Sequence, residues 1–299
     1  MDNFEFLHNC TKDTVELEGL CHGLPVCGDC YSTIEFSLDA QPAPPTLYMH
    51  WNLAIKGIIL PIVGFFGLIG NSLSAFVYSR REMRSSLNVY LGALAFSDFI
   101  VALTSYFLFF LLPMRSRVSG ANELYAFLAP IVFPMALTAQ SLSVFLTVAA
   151  AADCLLLVRA SHAIKTRWCS IQRSKKMVAI IALCACAFNT PHFFEIRVHD
   201  CWSVEFWRPS RDVCPTELRK NELYTLLYYA IAYSLFMAAG PFVLLIAMNS
   251  AILHALKKRT ALPVDSEIKT ETVDGETKRS DGVMTLILVV CLFVACNFL

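Results

Sequence analysis

Apolar residues in this chain run in solid blocks rather than alternating with polar ones. Six blocks approach or exceed the roughly 20 residues that a helix needs to cross about 30 Å of hydrocarbon. They cover residues 57–79, 86–112, 124–158, 177–194, 223–256 and 283–299. The third and fifth are long enough to tilt or to project past the bilayer. In lipid only helices and closed barrels satisfy their own backbone, and barrel strands would alternate, so the pattern predicts an all-α membrane bundle. It also divides the chain into a polar tail, 1–50, and a membrane-embedded region, 51–299.

Composition agrees, since 56% of residues are hydrophobic and 16% charged, too few charges to cover a water-soluble surface. The first forty-odd residues lack the basic patch and apolar core of a secretory signal, so the first block is expected to direct insertion. The net charge of zero conceals an asymmetry. Arg80, Arg81 and Arg84 follow the first block, and Arg159, Lys165, Arg167, Arg173, Lys175 and Lys176 follow the third. The positive-inside rule places both connections in the cytoplasm. The tail, where Asp2, Glu5, Asp13, Glu16, Glu18, Asp29, Glu35 and Asp39 face Lys12 alone, is then extracellular.

Cysteine positions fit that topology. Cys10, Cys21, Cys27 and Cys30 in the tail, with Cys201 and Cys214 after the fourth block, place six of the twelve cysteines on the expected outer side. An even number in an oxidising compartment fits three disulfides, with Cys201–Cys214 the simplest pair for the loop. Zinc binding is the rival, but the CxxC at 27–30 has no second pair of its kind. Asn9-Cys10-Thr11 is a glycosylation sequon, a short pattern that adds little weight.

A carboxylate at mid-bilayer costs about 3 kcal/mol or more, so Asp98 should face other helices or a wet cavity. Asn71 on the first helix and Ser143 on the third are polar groups at comparable depth. Such a cluster serves as a structural hydrogen-bond knot, a cation site or a proton relay, and the residues alone leave these open.

Gly70-Asn71, Asn88-Val89-Tyr90-Leu91 with Leu94-Ala95-Phe96-Ser97-Asp98, and Ser143-Val144-Phe145-Leu146-Thr147-Val148 leading to Asp153 resemble, in order and spacing, the rhodopsin-like G-protein-coupled receptors. Pro241, Leu245 and Asn249 resemble that family's fifth helix, and Phe293 with Cys296 its sixth. Phe188-Asn189-Thr190-Pro191-His192-Phe193-Phe194-Glu195 and the stretch TAQSLSVFLTV, 138–148, are similar to invertebrate FMRFamide-type neuropeptide receptors, although His192 stands where an arginine is expected. The resemblance implies a heptahelical bundle with six helices in this chain, the sixth incomplete and the seventh absent. It also implies a sodium ion or water network around Asp98, Asn71 and Ser143, and no other cofactor. The expected partners are an extracellular peptide ending in Arg-Phe-amide, a heterotrimeric G protein and membrane lipids, without nucleic acid. The expected location is the plasma membrane.

An arginine-bearing peptide would be drawn to the acidic tail, and its aromatic end to an apolar cavity. Gln140 lies 13 positions before Asp153, about 20 Å along a helix, and is a pocket candidate, though it would equally bond a neighbouring helix. Phe193, Phe194 and Glu195 are candidates for the pocket mouth, where aromatic residues also serve as interfacial anchors.

Two positions depart from the family. No cysteine lies between residues 31 and 153, so the disulfide from the third helix to the outer loop is missing, and Cys201 and Cys214 pair with each other, with the tail, or not at all. The Asp-Arg-Tyr triplet reads Asp153-Cys154-Leu155, and a thiol cannot reproduce the planar fork of donors of an arginine. Arg159, five residues on, falls on another face of the helix.

The leading expectation is a peptide receptor that signals by helix rearrangement. A truncated or non-signalling peptide-binding variant is the alternative, and a six-helix transporter a remote one, since no repeat is visible and Asp98 is the sole acid deep in a span. An enzyme is not expected, because no motif arranges a nucleophile, a base and an orienting group.

Overall fold

The computed structural model describes Leu24, Cys27 and residues 55–115, 118–203 and 206–260. The sixth apolar block and most of the tail, including Asn9, Cys10, Cys21 and Cys30, lie outside the described residues.

Five helices among the described residues are long and apolar enough to cross a membrane. They contain α1 (Leu60–Ser79), α2 (Ser86–Met114), α3 (Ser119–Arg159) and α4 (Ile171–Asn189), and the last span, Glu222–Ala255, includes most of α5 (Gly240–Thr260) with the helical turns before it. A π-helical turn, Ile55–Ile59, leads into α1, and a longer π-helical stretch, Thr225–Ala239, leads into α5. Helix α3 runs for 41 residues through Pro130 and Pro134 without ending. Each proline removes one backbone donor, a loss that membrane helices tolerate because neighbouring groups take up the freed carbonyl.

Helix α4 begins six residues before its apolar block, and a short helix, His162–Trp168, precedes it. Arg167, Arg173, Lys175 and Lys176 therefore sit on helices and not in an open loop. No glycine or proline interrupts 162–190, and lysine and arginine are good helix formers, so the backbone keeps its form beyond the apolar edge.

The expected loop after α4 instead holds a hairpin. Strand β1 (Ile196–Ser203) pairs antiparallel with β2 (Arg208–Pro215), from Ile196↔Pro215 to Ser203↔Arg208. Trp207 at the reversal takes a left-handed φ of 52°. The hairpin is a small addition to an otherwise helical fold.

The chain forms two compact units. One takes the chain up to Leu68 with Val101–Leu137 and Asn189–Tyr224. Its core sets Val213 of β2 against Ala126 and Ala129 of α3, where small side chains admit the hairpin, with Tyr125 and Ile196 packed around them. The other takes Ile69–Ile100, Thr138–Phe188 and the chain from Thr225. There Leu87, Tyr90, Leu91 and Leu94 of α2 meet Leu146, Ala150, Cys154 and Val158 of α3 and Ile252 of α5. Spacings of three and four bring each set onto a single helix face. No residue of α1 is buried; its large apolar side chains, such as Phe65, Phe66 and Leu73, suit contact with lipid tails.

Candidate functional site

Two acids, Asp98 half-buried and Asp153 buried, tie α2 to α3. Ser143 Oγ donates to Asp98 Oδ1 at 2.5 Å, and Thr147, one turn on, returns its hydroxyl to the Ser143 carbonyl at 2.9 Å. Asn71 is half-buried on α1, and no hydrogen bond joins it to this pair. Farther along, Ser86 Oγ donates to Asp153 Oδ2 at 2.6 Å, and Cys169 is a further hydrogen-bonding partner of that carboxylate. Asp153 is thus satisfied by uncharged groups. Its neighbour Cys154 is fully buried among leucine, alanine and valine. Leu155 packs half-buried against the same cluster, while Arg159 is exposed at the helix end.

The Phe188–Glu195 stretch separates two kinds of side chain. Phe193 and Phe194 are exposed, whereas Glu195 is fully buried. The Glu195 carboxylate lies 2.9 Å from His192 Nδ1, 2.9 Å from Arg219 Nη1, and accepts from the Tyr224 hydroxyl at 2.6 Å. Thr216 N–H donates to its carbonyl at 2.8 Å. Phe133 of α3 stands edge-on to His192 and carries Arg219 over its face. Glu195 therefore ties the two ends of the hairpin segment together, and Phe133 meets that cluster from α3. Gln140 is exposed on α3.

A second set of polar contacts fastens β2. Arg115, just past α2, pairs with Asp212 and lies over the Tyr125 ring, 4.9 Å from its centre. Asn122 Nδ2 donates to Ser210 Oγ and to the Arg211 carbonyl, both at 2.9 Å, and Ser210 Oγ donates to Glu123 at 3.0 Å. A disulfide joins Cys27 to Cys201, with Cys27 N–H bonded to the Trp202 carbonyl at 3.0 Å.

Comparison with known proteins decides what this arrangement belongs to. A family model described as 7 transmembrane receptor (rhodopsin family) matches residues 70–299. The chain is a rhodopsin-family seven-transmembrane receptor. It is 44% identical, over 94% of this chain and 73% of the relative, to a protein of Caenorhabditis elegans named probable G-protein coupled receptor frpr-1. It is 30% identical to the FMRFamide receptor of Drosophila melanogaster, over 82% of this chain and 44% of the relative. To the FMRFamide peptide receptor frpr-18 of Caenorhabditis elegans it is 28% identical, over 69% and 46%. The chain thus spans about three quarters of the first of these relatives and less than half of the other two. The receptor is a multi-pass membrane protein, and its relatives are receptors and not enzymes.

Cys201 does not pair with Cys214, the simplest pairing by sequence. In the hairpin Cys201 faces Ser210, and Cys214 faces Arg197. The two cysteines are therefore offset by four residues, about 13 Å along the strands, against the roughly 4.4–6.8 Å between Cα atoms that a disulfide spans. Cys214 is itself disulfide-bonded. With its sulfur in a disulfide, Cys27 is lost to the zinc alternative.

Sequence reasoning missed Arg115, Asn122, Glu123, Asp212, Arg219 and Tyr224. Asn122 and Glu123 stand just before the third apolar block, where polar residues look like the end of a loop. The Arg115–Asp212 pair joins positions 97 residues apart and leaves no local signal.

Proposed function

We propose that this receptor responds to an extracellular FMRFamide-like neuropeptide and transmits the signal to a heterotrimeric G protein by helix rearrangement. The observation that carries the reading is its 30% identity, over 82% of the chain, to a protein named for FMRFamide. In this reading the protein lies in the plasma membrane, and the tail, 1–50, is an extracellular region followed by the transmembrane region, 51–299. The disulfide at the hairpin supports that orientation, because disulfides persist in oxidising compartments. The arginines and lysines around α4 support it from the other end.

Phe193 and Phe194 are exposed and suit an aromatic ligand group. Gln140 is a separate candidate contact on α3. Glu195 serves as the anchor of the segment that displays the two phenylalanines, since its carboxylate is committed to Arg219 and Tyr224. A ligand acts only through a difference in affinity between helix arrangements, and the Ser86–Asp153 bond is a contact that one arrangement keeps and another breaks.

Asp98 and Ser143 form an oxygen-only donor pair that fits a hard cation such as sodium, and these two residues would hold it. The ion would supply positive charge beside a carboxylate that has one hydroxyl partner.

Competition binding with an amidated Arg-Phe peptide, its free acid and an unrelated amidated peptide tests the ligand assignment. The expected result is saturable binding of the amidated peptide, weakened about tenfold or more in Phe193→Ala or Phe194→Ala. Equal binding of all three peptides overturns it. Cys154 favours a second reading, a receptor that binds peptide without activating G protein, because it removes the guanidinium that the family's triplet supplies. Binding without nucleotide exchange would select that reading.

A further inference from the structure

We propose that the basic end of α4 carries a binding site for the phosphate of an anionic phospholipid. A cleft of about 450 Å³ opens there, lined by Arg167, Ser170, Gln172, Arg173 and Lys176, and one turn further along by Met177 and Ile180. Three of the lining residues are cations and none is an acid, so an anion enters without a competing carboxylate.

Arg173 is already positioned. Its guanidinium stacks on the Trp168 ring at 3.7 Å, and Nη1 donates to the Arg167 carbonyl at 3.4 Å. A guanidinium has five N–H donors in a fixed plane, so donors remain for a phosphate in the cleft that Arg173 lines. Arg167 and Lys176 are exposed and add charge without such restraint. The hydroxyl of Ser170 and the amide of Gln172 supply neutral hydrogen bonds.

The apolar part of the cleft distinguishes a lipid from free phosphate. Met177 and Ile180 are exposed on α4, four residues beyond Arg173 and Lys176 respectively, on the same helix face. The helix from Ile171 to Phe194 is apolar enough to span a membrane. A headgroup held by the cations would therefore lay its acyl chains over Met177 and Ile180. Trp168, an aromatic of the kind that favours the membrane interface, lies under the Arg173 guanidinium. Basic clusters next to a membrane helix attract anionic headgroups, each cation adding about fivefold in affinity. The site does not depend on the ligand assignment.

Native mass spectrometry of the purified chain in neutral detergent tests this, with dioctanoyl phosphatidic acid, dioctanoyl phosphatidylcholine and inorganic phosphate as probes. The expected result is one saturable site that prefers phosphatidic acid over phosphatidylcholine by tenfold or more. Arg167→Gln and Lys176→Gln, at exposed positions where folding is preserved, each weaken it about fivefold and together about 25-fold. Ile180→Ser weakens the lipid and leaves phosphate unchanged. Equal binding of the two lipids, or undiminished binding in the double variant, overturns the proposal. Phosphate competing at the same concentration as the lipid, with Ile180→Ser silent, also overturns it and assigns the cleft to a free anion.

Discussion

At the scale of single residues, the chemistry rests on acids answered by hydroxyls. Asp98 was legible in the sequence because a carboxylate in hydrocarbon must find a partner, and Ser143 was the available group on α3. Asp153 was legible through its place in the family's triplet, but its actual partner, Ser86, was not, since a serine at the start of a helix reads as an ordinary cap. Replacing Ser86 with alanine leaves the buried carboxylate short of a donor, a loss of about 1–3 kcal/mol. Ser86→Ala should lower the melting temperature of the reconstituted receptor and raise ligand-independent nucleotide exchange, with no change in either speaking against a latch. If Asp98 holds sodium, exchanging sodium for choline at fixed ionic strength should lower the melting temperature of the wild type and leave Asp98→Asn unmoved. An equal response in both would remove the ion from that site.

At the scale of elements, the hydrophobic blocks located the helices, because solid apolar runs can satisfy their backbones in lipid only that way. They did not locate the hairpin, whose strands carry mixed charges and whose partners lie far along the chain; the Cys27–Cys201 link alone spans 174 positions. The polar clamp of Arg115, Asn122, Glu123 and Asp212 fastens β2 beside the disulfides of the hairpin. Asn122→Ala removes two hydrogen bonds to β2, one of them to buried Ser210, at about 1–3 kcal/mol. It should speed hydrogen exchange across 208–215 and leave 144–158 unchanged, and uniform exchange would contradict the clamp. The entry to α5 offers a second check. A Cβ on Gly240 would lie 2.6 Å from the Leu235 carbonyl oxygen of the π-helical stretch, closer than carbon and oxygen tolerate, and Pro241 follows with its own restriction. Gly240→Ala should destabilise by about 1–3 kcal/mol in thermal unfolding, whereas a neutral result would mean that the stretch relaxes to an ordinary helix.

For the whole molecule, the proposed peptide receptor sets a rhodopsin-family scaffold around Cys154, the residue that follows Asp153. Cys154 fills the α2–α3 core, so in the proposed function activation works through loss of neutral hydrogen bonds and repacking, without the charge of an arginine. The direct measurement is nucleotide exchange on purified G proteins by the reconstituted chain, titrated with a peptide ending in Arg-Phe-amide and with the same peptide as a free acid. Saturable activation by the amide, with the free acid at least tenfold weaker, is the expected result. Silence toward the amide across G-protein classes, in a preparation shown to bind it, would contradict signalling by this chain.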